Sequence, residues 1–287
     1  MQPLDTLIPP ATTIVVLDTS PARNLAYSTE RPTWVATFAE MARSEDYSFS
    51  LADNAFAELL NQIASGALAR VESERIFESL QLFLNPNLPI LPGKRDILSL
   101  IGGHDHLPDW SPDEVAAISR RAWDHLRNAS SSGTAQSTDE ELQDERAAWF
   151  NIFETLGNFE NSAEELLNEY THSQLNLALV GSNHQSPELV PPLSVRWDLQ
   201  VRFFWRQYVR SKKELEPYDP TSRKKRNDGI DFGVFQYLML PALVVATDKG
   251  FFDKIADIKS YQKPWFWKPE ELATAWTSGE RPRPTWP

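Results

Sequence analysis

Two short apolar runs, "TTIVVLD" at residues 12–18 and "PALVVATD" at residues 241–248, constrain the fold of this chain more than any other feature. Each is brief, β-branched and without helical periodicity, the pattern of a strand buried on both faces. Such strands belong to parallel sheets, and parallel neighbours must be joined by a crossover. The long stretch between the two runs must therefore leave the sheet and return. In an open parallel sheet the ligand crevice lies beyond the carboxyl ends of the strands, so Asp18 and Asp248, which end the two runs, are delivered to one edge.

The segments between and around them fit that sheet. In "PTWVATFAEMAR", residues 32–43, Pro32 opens a helix whose Trp34, Val35, Phe38 and Met41 fall at helical spacing. "YSFSLADNAFAELLNQIASG" predicts a strand over residues 47–51, an Asp/Asn cap, and a helix that ends near Gly66 and holds Glu58 in its first turn. "SERIFESLQLFL" predicts another amphipathic helix, and "LPILPG" a short strand or an extended segment. The fold class expected is α/β, a three-layer α/β/α arrangement around a mostly parallel sheet. From Pro108 to about Tyr208, runs such as "SPDEVAAISRRAWDHLRNA", "DEELQDERAAWFNIFETLG" and "SAEELLNEYTHSQLNLALV" predict a large all-helical insertion. The polar "NASSSGTAQSTD", residues 128–139, is expected to interrupt it as a mobile loop. The expected organisation is an α/β unit built from residues 1–107 and 211–262, the insertion over 108–210, and a Trp/Pro-rich tail over 263–287.

Composition narrows the chemistry. With 287 residues, 41% of them hydrophobic, the chain can bury a substantial core. The absence of cysteine excludes disulfides and thiolate metal sites and points to a cytoplasmic location. The N-terminus lacks a basic n-region and reads as something other than a signal peptide, and the run over residues 237–246 is broken by Pro241 and too short to span a bilayer, so no membrane partner is expected. A net charge of -12 opposes indiscriminate binding to nucleic acid. Locally, however, Lys212, Lys213, Arg223, Lys224, Lys225 and Arg226 form a basic run that leads into Asp228. A solvated loop accounts for such a run as readily as a phosphate-binding groove does.

Asp228 and Asp231 are three residues apart, on one face of the first turn of a helix, where capping and the helix dipole explain either acid alone. Spacing leaves open which end of that helix faces Asp248. Taken together, Asp18, Glu58, Asp231 and Asp248 all follow strand ends or open helices. Acids that cluster repel one another and need a cation among them, and an all-oxygen site suits Mg²⁺ or Mn²⁺.

The ordered set "VVLDTS", "SLADNAFAELL" and "NDGIDFGVFQYLMLPALVVATDKGFF" resembles the PIN-domain nucleases, in particular the larger PIN-like proteins with a helical insertion and an ND..D motif. The resemblance covers residues 12–103 and 223–258. It implies a metal-dependent ribonuclease in which Asp18, Glu58, Asp231 and Asp248 are catalytic and, with Asp228, ligate Mg²⁺ or Mn²⁺. Ser20 and Thr247 match small hydroxyl residues beside the first and last acids and would contact substrate, as would the basic residues 223–226, with Arg202 and Arg206 beside them. Asp248 stands one residue short of the usual place of the last acid, which here is Lys249, and Phe235 replaces a family-typical polar residue. The partners implied are RNA and, by analogy with toxin-antitoxin pairs, an antitoxin protein, with a second copy of the chain as a further partner. A catalytically inactive PIN-like scaffold and a nuclease acting on DNA structures are the alternatives.

Two other features carry less. His104, Asp105 and His106 in "GGHDHLPDW" fit a loop better than a metal site. The aromatics of "WFWKPEELATAW", beside Lys263 and Lys268, could stack on bases but more often cover their own core.

Overall fold

In the computed structural model, residues 7–28, 30–93, 96–97, 111–132, 138–155, 191, 193–213, 219, 222 and 228–287 are described. The two apolar runs are strands β1 (Thr13–Leu17) and β3 (Ala242–Val245), paired in parallel with Val15 opposite Leu243. On the other side of β1 lies β2 (Tyr47–Leu51), with Val15 opposite Phe49, and β4 (Phe266–Trp267) flanks β3. The sheet order is β2-β1-β3-β4 and every pairing is parallel. All five residues of β1 are buried, as a strand covered on both faces requires. "LPILPG" runs extended along β2, where the Leu51 N–H donates to Pro89 O and the Leu91 N–H to Leu51 O.

Helices cover both faces, giving the three-layer α/β/α arrangement expected from the sequence. After β1 come α1 (Thr19–Tyr27) and α2 (Thr33–Arg43). Phe38 of α2 stacks on Phe49 at 4.8 Å, which sets α2 on the face that Val15, Phe49 and Leu243 share. Following β2 are α3 (Asp53–Ala64) and α4 (Arg70–Leu80), both packed on α1. On the opposite face, Phe266 meets Phe235 and Phe251 at 5.8 and 5.4 Å. Phe235 opens a 3₁₀ turn (Phe235–Met239) that continues α9 (Asp228–Val234), and Phe251 lies in α10 (Lys249–Ile255).

The insertion contributes α5 (Pro112–Ser132), α6 (Asp139–Thr155), α7 (Leu193–Arg196) and α8 (Asp198–Lys213). Its apolar faces join the same core as the sheet: Leu126, Trp149, Leu199 and Phe203 are almost completely buried in it. "SAEELLNEYTHSQLNLALV" lies outside the described residues.

Three expectations are corrected. The polar stretch at 128–139 is not a loop throughout, because α5 continues to Ser132. Ala129 and Ser130 are buried there, and Ser130 Oγ lies 2.5 Å from Ser73 Oγ of α4; Thr138 at the far end is buried with its hydroxyl donating to Ala57 O. Small residues at helical spacing made this turn look like linker, but they let α5 approach α4 closely. The Trp/Pro-rich segment, for its part, supplies β4 and then α11 (Pro269–Thr277), which packs on α2. Its Trp265 is buried and meets Trp286 at 4.9 Å, so it covers its own core, the reading the sequence favours. Finally, α3 has Ala52 at its N-cap with no side-chain cap bond, and begins at Asp53, which puts Glu58 in its second turn.

Candidate acidic site at the carboxyl edge of the sheet

The backbone places the first acid. The Asp18 N–H donates to Val245 O at 2.9 Å and the Ala52 N–H to Leu17 O at 3.0 Å, so the parallel ladder continues just past the strand ends and fixes where β1 turns into α1. Asp18 is the N-cap of α1: its Oδ2 accepts from the Ser20 N–H at 3.2 Å and from Ser20 Oγ at 2.8 Å. Ser20 Oγ in turn accepts from the Thr247 N–H at 2.9 Å, which ties Asp18 to the loop after β3, and Asn24 Nδ2 donates to Thr247 Oγ1 at 3.0 Å. Ser20 and Thr247, expected at the substrate, are thus placed as the brace of the first acid.

Glu58 extends from α3 to the same place, where its Oε2 accepts a hydrogen bond from Thr19 Oγ1. Two bonds lock α3 to the segment carrying the other acids. The Asp53 N–H donates to the Tyr237 hydroxyl at 2.7 Å, and Asn54 Nδ2 donates to Ile230 O at 3.1 Å. The Asp228–Asp231 segment itself is held by the insertion. Trp149 of α6 lies 4.8 Å from Phe232 of α9, and a Cβ on Gly229 would come within 2.6 Å of Trp149 Cβ. Only glycine permits this approach, and the approach sets the height of Asp228 and Asp231 above the sheet edge.

Asp228 and Asp231 both turn to one cation that the sequence reading did not single out. Lys254 Nζ lies 2.7 Å from Asp228 Oδ1 and is bonded as well to Asp231 Oδ2. Asp228 is 1% exposed, so its charge requires a local partner. No spacing rule links residues 228 and 231 to 254; the available signal was only that buried acids demand a cation.

Electrostatics connect the acids. Burial pushes Glu58 up to about 7, with the charges of Asp18 and Asp231 adding to the shift and the Thr19 hydroxyl and Arg146 opposing it. Burial pushes Asp231 up to about 6 against the opposing Lys254 charge, and Asp18 and Asp228 add to the rise. Asp18 is raised as well, first by burial and then by the charge of Asp248, against its hydrogen bonds from Ser20 and Thr19. Lys254 is raised above its ordinary value because its two carboxylates outweigh the opposing burial. Asp18, Glu58 and Asp231, from three different elements, thus feel one another's charges. Asp248 stands apart: it is exposed and caps α10, accepting from the Gly250 N–H at 2.9 Å.

The remaining expected residues are placed less centrally. Arg202 pairs with Asp198 and Arg206 with Asp257, at 2.7 and 2.8 Å. Arg223, Lys224, Lys225 and Arg226 lie outside the described residues, as do His104, Asp105 and His106. Among the described residues no three His, Asp or Glu side chains are grouped closely enough to hold a metal ion, and no helix is long and apolar enough to cross a membrane. The donors themselves are carboxylate oxygens only, the chemistry a hard divalent cation takes. Compared with family models, with curated proteins and with solved structures, the chain matches none, so the likeness to PIN-domain nucleases rests on its residues.

Proposed function

We propose that this protein is a Mg²⁺- or Mn²⁺-dependent phosphodiesterase of the PIN-like kind that cleaves RNA. The observation that carries this is the electrostatic convergence of Asp18, Glu58 and Asp231 at the carboxyl edge of a parallel sheet, with two of them raised to about 7 and 6. Carboxylates held together at such a cost in burial and repulsion are relieved by a divalent cation. Asp18, Glu58 and Asp231 are the acids expected to supply its oxygens, although as placed no three acids among the described residues are close enough together to hold it; such an ion would supply an activated water and charge stabilisation at the scissile phosphate. The chain's own residues prepare the place. The Ser20 hydroxyl and the α1 N-terminus orient Asp18, the Thr19 hydroxyl orients Glu58, and Lys254 holds Asp231. The basic run at 223–226, directly before Asp228, supports a polyanionic substrate despite the overall charge of -12.

One observation favours a second reading, an inactive PIN-like scaffold: Lys254 already pairs with two of the acids. Cleavage of RNA and of DNA substrates, with Mg²⁺ or Mn²⁺, by wild type, Asp18→Asn and Asp231→Asn separates the readings. Metal-dependent RNA cleavage lost in both variants is expected. An inert wild type supports the scaffold, cleavage confined to DNA transfers the activity to DNA structures, and variants as active as wild type remove the acids from catalysis.

A further inference from the structure

Beyond α11, residues 281–287, "RPRPTWP", run without helix or strand along the amino edge of the sheet, from the start of β2 to the residue before β4. At one end the Tyr47 hydroxyl donates to Pro282 O at 3.2 Å and Arg283 pairs with Asp46 at 3.4 Å. At the other, Trp286 meets Trp265 at 4.9 Å and Tyr261 at 6.4 Å, and the Arg196 guanidinium lies 5.1 Å from its ring centre.

Little else fastens this strap. Pro282, Pro284 and Pro287 have no N–H, and among the described residues no strap residue joins a backbone-to-backbone hydrogen bond. Arg281 bonds only to Trp276 O and Glu280 O at the root of the strap. The Arg283–Asp46 pair is about half exposed, the kind of ion pair that contributes little. Trp286 is therefore the anchor, and a segment held by one anchor opens locally at low cost.

The anchor sits on the residue that fixes the insertion. Arg196 closes α7 and is only 7% exposed. Its guanidinium donates to Pro191 O at 2.8 Å and to Met239 O, at the end of the 3₁₀ turn that continues α9. Beside it, Gln262 donates to Arg196 O at 2.9 Å and to Leu238 O at 3.0 Å and accepts from the Leu199 N–H at 2.9 Å, while the Tyr261 hydroxyl donates to Val195 O. A four-residue helix does not hold itself, so these groups place α7 and the start of α8. Phe203 of α8 then packs on Phe232 and Phe235, at 6.2 and 4.9 Å, in the segment that begins with Asp228.

We propose that residues 281–287 form a clasp with two states: with Trp286 seated on Arg196 the insertion is fastened to the sheet, and with Trp286 released α7 and α8 open as a unit while the sheet stays folded. The clasp lies on the sheet edge opposite the acids and acts on α9 without touching it. The inference stands apart from the metal-dependent reading, since its test needs neither metal nor substrate.

Hydrogen exchange of the full chain at low urea tests it. In wild type the amides of α7 and α8 are expected to exchange as a unit ahead of those of β1 and β3. Trp286→Ala should speed that unit at least about thirtyfold, and Arg283→Ala, which removes only the exposed ion pair, less than about fivefold. Exchange of α7 and α8 only in step with the strands would make Trp286 an ordinary core residue and overturn the inference, as would rates in Trp286→Ala within about twofold of wild type. Where Trp286→Ala does not fold, Trp286→Phe is read in the same way, with about a threefold rise expected from the weaker hold of a phenyl ring on Arg196 and no rise overturning the inference.

Discussion

The acid cluster has two halves built from the same residue types and balanced in opposite ways. Asp228 and Asp231 come from one helix and share the Lys254 ammonium, so this half carries its own cation. Asp18 and Glu58 come from two elements and are held by hydroxyls and a backbone N–H, with the charge of Arg146 acting on Glu58. The difference teaches that burial alone does not mark a reactive acid. The most buried member, Asp228, is the one whose compensation is internal, whereas Glu58, raised to about 7, is the one that still gains from an added cation.

The largest expected effect breaks the first half. Lys254→Met leaves Asp228 buried beside Asp231 without its ammonium and should cost about 3 to 5 kcal/mol of stability in urea unfolding without added metal. A cost below about 1 kcal/mol would show that the pair behaves as an exposed one. Breaking the second half is expected to act on chemistry instead. Asp18→Asn should lower metal-dependent RNA cleavage by more than about a hundredfold, beyond the range usual for residues that only support a ligand. A loss smaller than about tenfold would make Asp18 a cap of α1 and nothing more.

A third change sharpens the contrast through pH. Glu58 is raised in the folded chain to about 7, from an ordinary value of 4.5. The folded state therefore binds the proton more tightly than the unfolded state does between those values. The stability tied to that proton is full below about 4.5 and is lost as pH rises through about 7. Glu58→Gln abolishes this loss, so the variant should exceed wild type by up to about 3 kcal/mol at pH 8 and converge with it near pH 4.5. A difference independent of pH in urea titrations would show that Glu58 is not held at a raised value. Saturating Mg²⁺ should shrink the gap at pH 8, because the ion compensates the same charge.

How much of this was legible in the sequence follows from how local each signal is. Strands β1, β2 and β3 were legible because a short β-branched run without helical period has few other fates, and with them the edge that gathers Asp18, Glu58 and Asp231. β4 was not, since Phe266–Trp267 is too short to show a period and is flanked by Pro264 and Pro269. Glu58 was read one turn too early because Asp53 and Asn54 look like caps; the structure begins α3 at Asp53, and Asn54 donates to Ile230 O instead. Lys254 was invisible because an ion pair across 23 residues obeys no spacing rule. Gly229 was equally silent, since its role depends on the approach of Trp149 from a distant helix.

The smallest expected effect lies in the brace of the second half. Ser20 Oγ donates to Asp18 Oδ2 and accepts from the Thr247 N–H, so it links the ends of β1 and β3 through one hydroxyl. In Ser20→Ala, Asp18 keeps the bond from its own helix N-terminus, at 3.2 Å, but loses the shorter one, and the Thr247 N–H loses its acceptor. Stability should fall by about 1 to 2 kcal/mol, as for a hydrogen bond to a carboxylate. Cleavage should fall by about tenfold, because a supporting group that orients a ligand matters more to the site than to the fold. The Asp228 and Asp231 half gives the opposite ratio, a large loss of stability when Lys254 is removed. If Ser20→Ala instead loses several kcal/mol and keeps its activity, the Ser20 bridge belongs to the fold, and the division between a half paired with Lys254 and a half braced by hydroxyls fails.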